Sequence, residues 1–486
     1  MILNVYLDLP ETFRVRAEYA LETMLSAYDV QFQFCDEKTL LDNGGIFYGL
    51  KTPQRSVGGS KIVSIISRPE TWAYFAAHQP FPSEKAFFVN HKEIRELPVL
   101  FGEDDIRVEG NDLFVHADIV ASAFFWLSDW QQVYIADLDD LDRVPYACTL
   151  NKKLDIAQRP VVNEYAFLLA GWARFCDVEV SQRRWDGRDF ALALSHDVQR
   201  LSKKDPAILR KETVENLLLN RQKLGLGGRI RRYALTLRDM IKRTDAYHDS
   251  LRQTLETEKS ESIPSTYFFR AVSNASKDDQ KDYLGDLFAS EFGRLVDANG
   301  SEIGFLAGSG TGIQPELYRK EFRRLKRRTG KENVRVNRFS DYVFNVSDLF
   351  SAFTEQGIVA DSSLAWVDHP GFRNGWCHPF RIFDIPNNKA LDVFEIPLAA
   401  SDIQLHDALN YSPDESMFLL KQQLQVVKRH GGVVCWSFRQ NLYDEVEAPG
   451  WNNIFEHIIS YAHMHNPYIN SLERIYEHWC QPSLAE

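Results

Sequence analysis

The sequence lacks several features that would assign it to a familiar class. It contains no run of about 18 apolar residues, so we expect no transmembrane helix. The first ten residues carry no basic segment and no small-residue cleavage site, which predicts that there is no signal peptide. None of the six cysteines lies in a Cys-x-x-Cys pair, so neither a zinc ribbon nor a thioredoxin-type site is expected. Scattered cysteines are typical of a reduced, cytoplasmic protein.

An excess of basic charge is also absent. The net charge is −12, with 56 Lys and Arg against 68 Asp and Glu. Nucleic-acid-binding proteins usually carry a basic domain, so we expect no nucleic-acid partner. Hydrophobic residues make up 44% of the 486 residues, which is ordinary for a globular protein. At about 150 residues per domain, this length predicts two or three domains.

Residues 1–185 are predicted to form an N-terminal α/β or α+β domain of unknown function. Apolar residues recur at helical spacing over 11–27, 118–129 and 162–175, whereas 30–34 and 62–66 are apolar runs typical of strands.

A second domain is predicted over 186–486, and it begins with a buried strand. Residues 190–195 are almost wholly apolar, as expected for a strand of a parallel sheet. The polar residues Ser195, His196 and Asp197 come at its end. Because ligands of α/β folds bind at the carboxyl ends of strands, this is the best candidate site in the sequence.

The rest of this domain alternates strand-like and helix-like segments, which favours a parallel sheet or a barrel. Further strands are predicted at 265–270, 302–306, 334–338, 358–361, 394–397 and 432–436.

Residues 200–243 form a basic helical insert. They include 13 Lys or Arg against four Asp or Glu, and leucines and isoleucines recur among them. One interpretation is a solvated helical excursion that packs on the domain. The other is peripheral contact with an anionic membrane surface or with a polyanion.

Six segments of the second domain share a further pattern. They are Ser-His-Asp-Val-Gln at 195–199, Ser-Thr-Tyr-Phe-Phe at 265–269, Glu-Ile-Gly-Phe-Leu at 302–306, Ala-Asp-Ser-Ser-Leu at 360–364, Asp-His-Pro-Gly-Phe-Arg-Asn-Gly at 368–375 with Cys-His-Pro-Phe at 377–380, and Glu-Ile-Pro-Leu at 395–398. In order and spacing they resemble the polysaccharide deacetylase family (carbohydrate esterase family four, the NodB-homology fold) over roughly residues 185–480. The resemblance implies a distorted (β/α) barrel of the deacetylase type and a hydrolase lineage.

The resemblance also implies a site built around a divalent metal, usually zinc, but the ligand positions have changed. Asp197 occupies the position of the family's base. The second aspartate, a metal ligand, is replaced by Gln199, and the two histidine positions hold Leu306 and Gly310. No His-x-x-x-His pattern occurs anywhere. Because a carboxamide without an imidazole cannot build an ordinary zinc site, we expect no cofactor; zinc would bind only if these ligand positions were assigned wrongly.

Two later segments depart from the family in the same way. The segment 335–337 reads Arg-Val-Asn where the family has a histidine. The last strand reads Cys-Trp-Ser-Phe-Arg over 435–439, and Arg439 lies nearest the position of the family's catalytic acid.

Three segments of the N-terminal domain resemble an uncharacterised domain that precedes such deacetylase domains. They lie at 97–102, 123–128 and 159–165. This resemblance implies no particular chemistry.

The remaining polar residues supply candidate site positions. Candidate catalytic residues are Asp197, His196 and His378, because a carboxylate and an imidazole can exchange protons with a substrate. Candidate substrate-binding residues are Arg373, His369, Arg439, Asp402 and Arg335.

Each candidate also has a structural alternative. Asp197 can cap the segment that follows it, with His196 packed beneath the mouth of the barrel. His378 and His369 can be structural histidines of a loop, and Asp402 can stabilise a turn.

Three functions are compatible with these observations. The first is a metal-free degenerate deacetylase, a pseudoenzyme that binds a glycan, a lipid-linked sugar or a protein partner. The second is an active carbohydrate N- or O-deacetylase with a non-standard site. The third is a scaffold or membrane-associated protein. The resemblance implies a role in bacterial surface polysaccharide biosynthesis, and we expect a cytoplasmic location, peripheral to the inner membrane face if the insert binds lipid.

Overall fold

A computed structural model gives the fold of the chain. It describes residues 1–52, 59–82, 85–140, 143–204, 206–219, 225–271, 287–308, 314–340, 342 and 346–481.

The N-terminal part of the chain alternates strands and helices. Its strands are β1 (Leu3–Asp8), β2 (Tyr28–Asp29), β3 (Phe32–Phe34), β4 (Gly45–Gly49), β5 (Ile62–Ile66), β6 (Phe87–Val89), β7 (Leu97–Val99), β8 (Gly102–Glu109), β9 (Asp112–Ala117) and β10 (Ser181–Gln182). Its helices are α1 (Glu11–Leu25), α2 (Glu37–Asn43), α3 (Pro69–Ala76), α4 (Ile119–Leu127), α5 (Trp130–Tyr134), α6 (Leu150–Lys153) and α7 (Val161–Phe175), with a short 3₁₀ turn at Tyr146–Cys148.

In the described residues, a six-stranded sheet organises this part in the order β3-β1-β4-β5-β9-β8. All of its pairs are parallel except β8 with β9. Residues of β1, β4, β5 and β9 share one hydrophobic core with α1, α4 and α7. This part is therefore of the predicted α/β class, and α4 and α7 lie close to their predicted positions.

Asp118 joins this sheet to its helices through a fully buried carboxylate. It follows β9 and accepts hydrogen bonds from Ala121 N at 2.9 Å, from the Tyr48 hydroxyl at 3.0 Å and from the Ser67 hydroxyl at 2.6 Å. Burial raises the pKa of Asp118 to about 6, although the Ser67 and Ala121 donors oppose that effect.

Asp118→Asn should remove a pH dependence of stability. The folded-state pKa of Asp118 lies above its ordinary value of 3.8, so the stabilisation is full below about pH 4 and is lost as the pH rises through about 6. The unfolding free energy of the native chain should thus fall by about 3 kcal/mol over this range because of Asp118 alone. Urea unfolding of the Asn variant should show a flatter pH profile.

The matched control is Asp36→Asn, which changes an exposed carboxylate at the start of α2 that accepts a hydrogen bond from Thr39 N. The hydrogen bonds from Thr39 lower the pKa of Asp36, so its own contribution to stability is lost only below about pH 4, and the variant should keep the native profile between about pH 4 and 6. An unchanged profile in Asp118→Asn would show that Asp118 does not cause the dependence.

The C-terminal part of the chain continues the alternation. Its strands are β11 (Ala191–Val198), β12 (Thr266–Arg270), β13 (Glu302–Ala307), β14 (Val336–Phe339), β15 (Ala360–Asp361), β16 (Phe380–Asp384), β17 (Lys389–Glu395), β18 (Ala400–Ser401), β19 (Val433–Arg439) and β20 (Tyr468–Ile469). Its helices are α8 (Pro206–Lys211), α9 (Leu226–Ile241), α10 (Ala246–Ser260), α11 (Leu287–Ala298), α12 (Pro315–Thr329), α13 (Val346–Gln356), α14 (Pro413–His430), α15 (Trp451–His463) and α16 (Leu472–Cys480), with π-helical segments at Glu212–Leu218 and Ile403–Ala408.

These strands form one sheet in the order β16-β17-β15-β14-β13-β12-β11-β19-β18, and β20 also pairs with β11. Among the described pairs, only β16 with β17 is antiparallel. The prediction of an α/β fold with a parallel sheet is confirmed. The first strand is longer than predicted, because β11 runs to Val198 while pairing with β12 on one side and β19 on the other. Ser195, His196 and Asp197 therefore lie within the strand rather than after it.

The segment after β17 connects the two edges of this sheet. Ile396 N donates to Asp361 O at 2.9 Å, and Ala399 N donates to Cys435 O at 2.9 Å. Residues of β11 to β15, β19 and the 396–398 segment also share one hydrophobic core. Both contacts are compatible with the predicted distorted barrel, whose closure stays a prediction.

The basic insert is helical in the described residues. The α8 helix continues into the π-helical segment, and α9 packs against it: Arg232 Nε donates to Glu212 Oε1 at 2.7 Å. Lys203, which is buried, anchors the insert through ion pairs to Asp239 of α9 and to Asp444.

The predicted boundary between residues 185 and 186 stays a prediction. The two sheets are separate, but the chain segments around them are in contact. The N-terminal core includes Leu364, Trp376, Phe380 and Phe383 from the second part. In the part of the chain that the structure describes, no helix is both long and apolar enough to cross a membrane.

Candidate functional site

Asp197 lies in a buried ion pair at the carboxyl end of β11. The guanidinium of Arg338, from β14, is fully buried. Its Nη1 donates to Asp197 Oδ1 at 2.8 Å, to Ser195 Oγ at 2.8 Å and to Ser437 Oγ at 2.9 Å. One side chain therefore joins β11, β14 and β19 at the edge where a ligand site was predicted.

The rest of the guanidinium is bonded as well. Arg338 Nε donates to Ser362 O at 2.7 Å and Nη2 to Ser362 Oγ at 2.9 Å, and the group lies 4.3 Å from the ring centroid of Phe268. Burial is the largest influence and lowers the pKa of Arg338, but Asp197, Cys435 and Tyr342 together outweigh it, so the pKa is raised overall. The arginine is thus a permanent internal cation whose charge Asp197 balances.

A second group of charges lies beside this pair. Arg439, at the end of β19, donates from Nε to Asp402 Oδ2 at 2.8 Å and from Nη1 to Asp407 Oδ2 at 2.6 Å. Burial raises the pKa of Asp402. The positive charge of Arg439 opposes this rise, and the negative charge of Asp197 adds to it. The structure therefore brings the predicted residues Asp197, Asp402 and Arg439 together.

Two polar atoms at this edge have no hydrogen-bond partner among the described residues. They are the hydroxyl of Tyr342 and Oδ1 of Asp402, and both side chains are buried. Burial raises the pKa of Tyr342, and Asp197 raises it further. The Ser401 side chain is near enough to lower that pKa, but no bond of normal hydrogen-bond geometry links it to Tyr342.

A buried pair of carboxyl groups lies next to the arginine. Asp361 accepts from Asn337 Nδ2 at 2.6 Å and from Ser363 N at 3.0 Å. Burial raises the pKa of Asp361 and of its neighbour Glu395, and Asp361 raises that of Glu395 further. Burial and mutual repulsion therefore disfavour two negative charges on this pair, while Asp361 links the strand ends through its hydrogen bonds.

His196 does not share the site of Asp197. Side chains alternate along a strand, so His196 points to the opposite face of β11. Its Nε2 lies 2.8 Å from Glu258 Oε1 of α10, and its ring stacks on Tyr267. Glu258 Oε2 also accepts from the Ser265 hydroxyl at 2.7 Å, so the histidine belongs to a buried network. The structure shows the packed arrangement, and a catalytic role for His196 stays a prediction.

His378 lies at the other end of the sheet. The neighbouring Cys377 O accepts from Val433 N at the start of β19, whereas Asp197 aligns with Arg439 at its end. Six residues of strand separate these positions by about 20 Å. The ring is buried, Asn163 Nδ2 donates to its Nδ1 at 2.9 Å, and burial lowers the pKa of His378 to about 3. The structure therefore does not bring His378 and Asp197 together.

Arg373 and His369 contact the N-terminal part of the chain. Arg373 Nη2 donates to Asp129 Oδ2 at 2.7 Å, and both side chains are buried. The His369 ring stacks on Tyr146 with a centroid distance of 3.8 Å. These side chains serve the contact between the two parts, and neither forms part of the Asp197 site.

Arg335 precedes β14 and lies at the opposite end of that strand from Arg338. Its Nη1 donates to Glu473 Oε1 at 2.7 Å and to Glu477 Oε1 at 3.3 Å, both on α16. Substrate binding by Arg335 or by Arg373 stays a prediction.

The residues around Asp197 do not fit a divalent metal. A metal on Asp197 would lie beside the guanidinium of Arg338, and the two cations would repel each other. Leu306 is a buried apolar residue without a donor atom, and the side chain of Gln199 is neutral. Gly310 lies outside the described residues. Among the residues that are described, no cluster of three His, Cys, Asp or Glu side chains has metal-binding geometry.

Residues 7–174 match DUF7033, a family of unknown function. The match includes the three N-terminal segments that resembled an uncharacterised domain. No curated protein matches the chain.

Solved structures of deacetylases are similar to the chain at low TM-scores. A protein assigned as a polysaccharide deacetylase from Mycobacterium smegmatis is 17% identical, with a TM-score of 0.40, over 61% of this chain and 92% of its own. One from Pseudomonas aeruginosa PAO1 is 16% identical, with a TM-score of 0.38 and the same coverage. Agd3, a carbohydrate deacetylase, is 9% identical over 98% of this chain and 86% of its own, with a TM-score of 0.34.

Sequence reasoning missed Arg338, the central side chain of the site. A signal was present, because an arginine ended the predicted strand 334–338. A charge in a buried strand requires a partner, and Asp197 was the charged residue of the neighbouring candidate site. Tyr342 was also missed, and no sequence pattern marked it.

Proposed function

We propose that this chain is a metal-free relative of the polysaccharide deacetylases that binds a glycan without hydrolysing it. The observation that carries the proposal is the ion pair between Arg338 and Asp197. The carboxylate at the position of the family's base is held by a buried cation, so it is not available to activate water on a metal. We assign the glycan to the class that the resemblance implies, which is surface polysaccharide or its lipid-linked precursors.

Polar groups at the carboxyl edge of the sheet support glycan binding. The Tyr342 hydroxyl and Asp402 Oδ1 lack partners among the described residues, and the exposed part of Asp407 lies beside them on Arg439. A sugar has many hydroxyls that donate and accept hydrogen bonds, and buried polar groups favour a ligand that satisfies them. His196 points to the opposite face of β11 from Asp197, and His378 lies at the other end of the sheet. This separation favours a binding protein over a hydrolase with an altered site.

The first test measures metal and acetate together. The purified full-length chain, without a histidine tag, is incubated with zinc, dialysed and analysed by elemental mass spectrometry. It is then incubated with an array of acetylated polysaccharides while released acetate is measured. We expect sub-stoichiometric metal, no acetate and retention of at least one glycan. Stoichiometric zinc with acetate release, or retention of no glycan, would contradict the proposal.

The second test is Tyr342→Phe. Because the buried hydroxyl has no hydrogen-bond partner among the described residues, its removal should leave the melting temperature unchanged or slightly higher. Glycan affinity should fall by about tenfold, corresponding to about 1.4 kcal/mol for one lost hydrogen bond. Titration calorimetry with the retained glycan gives the dissociation constant. The matched control is Tyr74→Phe, a buried hydroxyl in the N-terminal part that also lacks a described partner and should leave glycan affinity unchanged.

A further inference from the structure

The basic insert carries a patch of exposed aliphatic side chains. We call Leu218, Leu219, Leu226 and Ile230 the leucine patch; their exposed fractions are 66%, 61%, 66% and 54%. Large apolar side chains that cluster on a surface usually mark an interaction site. Other large apolar residues are also exposed, but the insert carries four of them close together in sequence.

The patch combines residues from two elements, the end of one lying in contact with the start of the other. Leu218 closes the π-helical segment, and Leu226 opens α9. Arg229 Nη2 donates to Leu218 O at 3.3 Å, which brings the two ends into contact. The four exposed side chains therefore lie at the same end of the insert.

The opposite side of α9 holds the insert on the protein. Asp239 is buried and pairs with Lys203, which also pairs with Asp444 outside the insert, and Arg232 Nη1 donates to the carbonyl oxygen of Val446. Thr236, on the same side of the helix, is also buried. Because this face is already occupied, the outward face with Ile230 is the one left for a partner.

Exposed positive charge lies on the same helix as Ile230. Arg231 is exposed beside Ile230, and about half of each of Arg238 and Lys242 is exposed further along α9. Both of these cations share Asp239 with Lys203, so one carboxylate faces three positive groups. The outer surface of the insert is therefore both apolar and basic.

The charge of the whole chain is polarised in the same direction. Residues 200–243 carry a net +9, whereas the chain carries −12, so the remaining 442 residues carry −21. An anionic surface would attract the insert and repel the rest of the protein. That asymmetry would orient the leucine patch toward the surface.

We propose that the leucine patch docks the protein on an anionic lipid bilayer. Aliphatic side chains enter the boundary between headgroups and acyl chains, while arginine and lysine bind anionic headgroups. A second copy of this chain is a less suitable partner, because two equally basic inserts would repel each other. This inference does not depend on the glycan proposal, since it uses none of the residues at the Asp197 site.

Vesicle co-sedimentation tests the proposal with the full-length chain. One set of vesicles contains phosphatidylcholine only, and the other contains about one third phosphatidylglycerol. We expect partitioning to be at least about tenfold stronger on the anionic vesicles and to weaken with added salt, because salt screens the charges. In the double variant Leu226→Asp, Ile230→Asp, partitioning onto the anionic vesicles should be at least about tenfold weaker than in the native chain.

Two matched controls distinguish docking through the leucine patch from nonspecific binding to vesicles. Phe418→Asp replaces a large apolar residue on α14 that is 64% exposed, and this variant should bind vesicles like the native chain. Arg231→Glu should weaken binding, whereas Lys320→Glu, an exposed cation of the basic helix α12, should not. Circular dichroism and thermal melts establish that each variant is folded, and Leu226→Ser, Ile230→Ser replaces the double variant if it is not.

Three results would overturn the proposal. One is equal binding of the folded double variant and the native chain, and another is equal partitioning onto neutral and anionic vesicles. The third is no vesicle binding at all, together with a dimer in sedimentation velocity that the double variant dissociates; the patch would then be an interface between copies.

Discussion

Arg338→Met should lower the unfolding free energy by about 3 to 5 kcal/mol, measured by chemical denaturation at neutral pH. The variant leaves the buried carboxylate of Asp197 without its cation and removes the donor to Ser437. An unpaired buried charge costs far more than a lost surface ion pair.

Two further variants check the cause of this effect. Arg338→Lys keeps the charge but loses the planar fork that reaches three serines, and it should be destabilised less than the Met variant. Arg338→Met combined with Asp197→Asn should regain most of the stability, because the uncompensated charge is gone. If the unfolding free energy of Arg338→Met lies within about 1 kcal/mol of the native value, the ion pair does not make a large contribution to stability.

Arg373→Met should produce the second large loss, again about 3 to 5 kcal/mol. Arg373 lies in the second part of the chain, and its guanidinium binds the buried Asp129 of the first part and the carbonyl oxygen of Ala365. Removing the guanidinium leaves the carboxylate of Asp129 buried without its cation in the contact between the two parts. Asp129 has a raised pKa because it is buried, although Arg373 opposes the shift, so losing the arginine should raise that pKa further.

Limited proteolysis and denaturation together measure the result. We expect unfolding in Arg373→Met to begin at lower denaturant, with earlier cleavage between the two parts. Arg381→Met is the control, since its ion pair with Asp392 is exposed and should contribute about 0 to 1 kcal/mol. Equal stabilities of the two variants would contradict a structural role for Arg373 at this contact.

The two arginines illustrate different limits of sequence reasoning. Arg373 was singled out from its loop as a candidate ligand-binding residue, yet its side chain contacts Asp129, which is 244 residues away in the sequence. Arg338 was not singled out, although it lies on a predicted strand. In both cases the type of residue was informative, but its partner came from a distant part of the chain.

Local patterns predicted the elements well. The apolar run at 190–195, the repeated strand signals and the helical spacing at 162–175 each correspond to an element of the structure. Such patterns are local because a strand or a helix buries one face through neighbouring residues. The end of β11 was misjudged because hydrogen bonds from two partner strands, not local composition, extend it through Asp197.

The sequence by itself therefore determined the α/β alternation, the basic insert and the position of Asp197 near the end of a strand. Only the tertiary structure decided which groups meet. It paired Asp197 with Arg338, turned His196 to the other face of the sheet, and placed His378 at the far end of β19. The physical reason is that a strand fixes the direction of each side chain, but the register between strands distant in sequence fixes its neighbours.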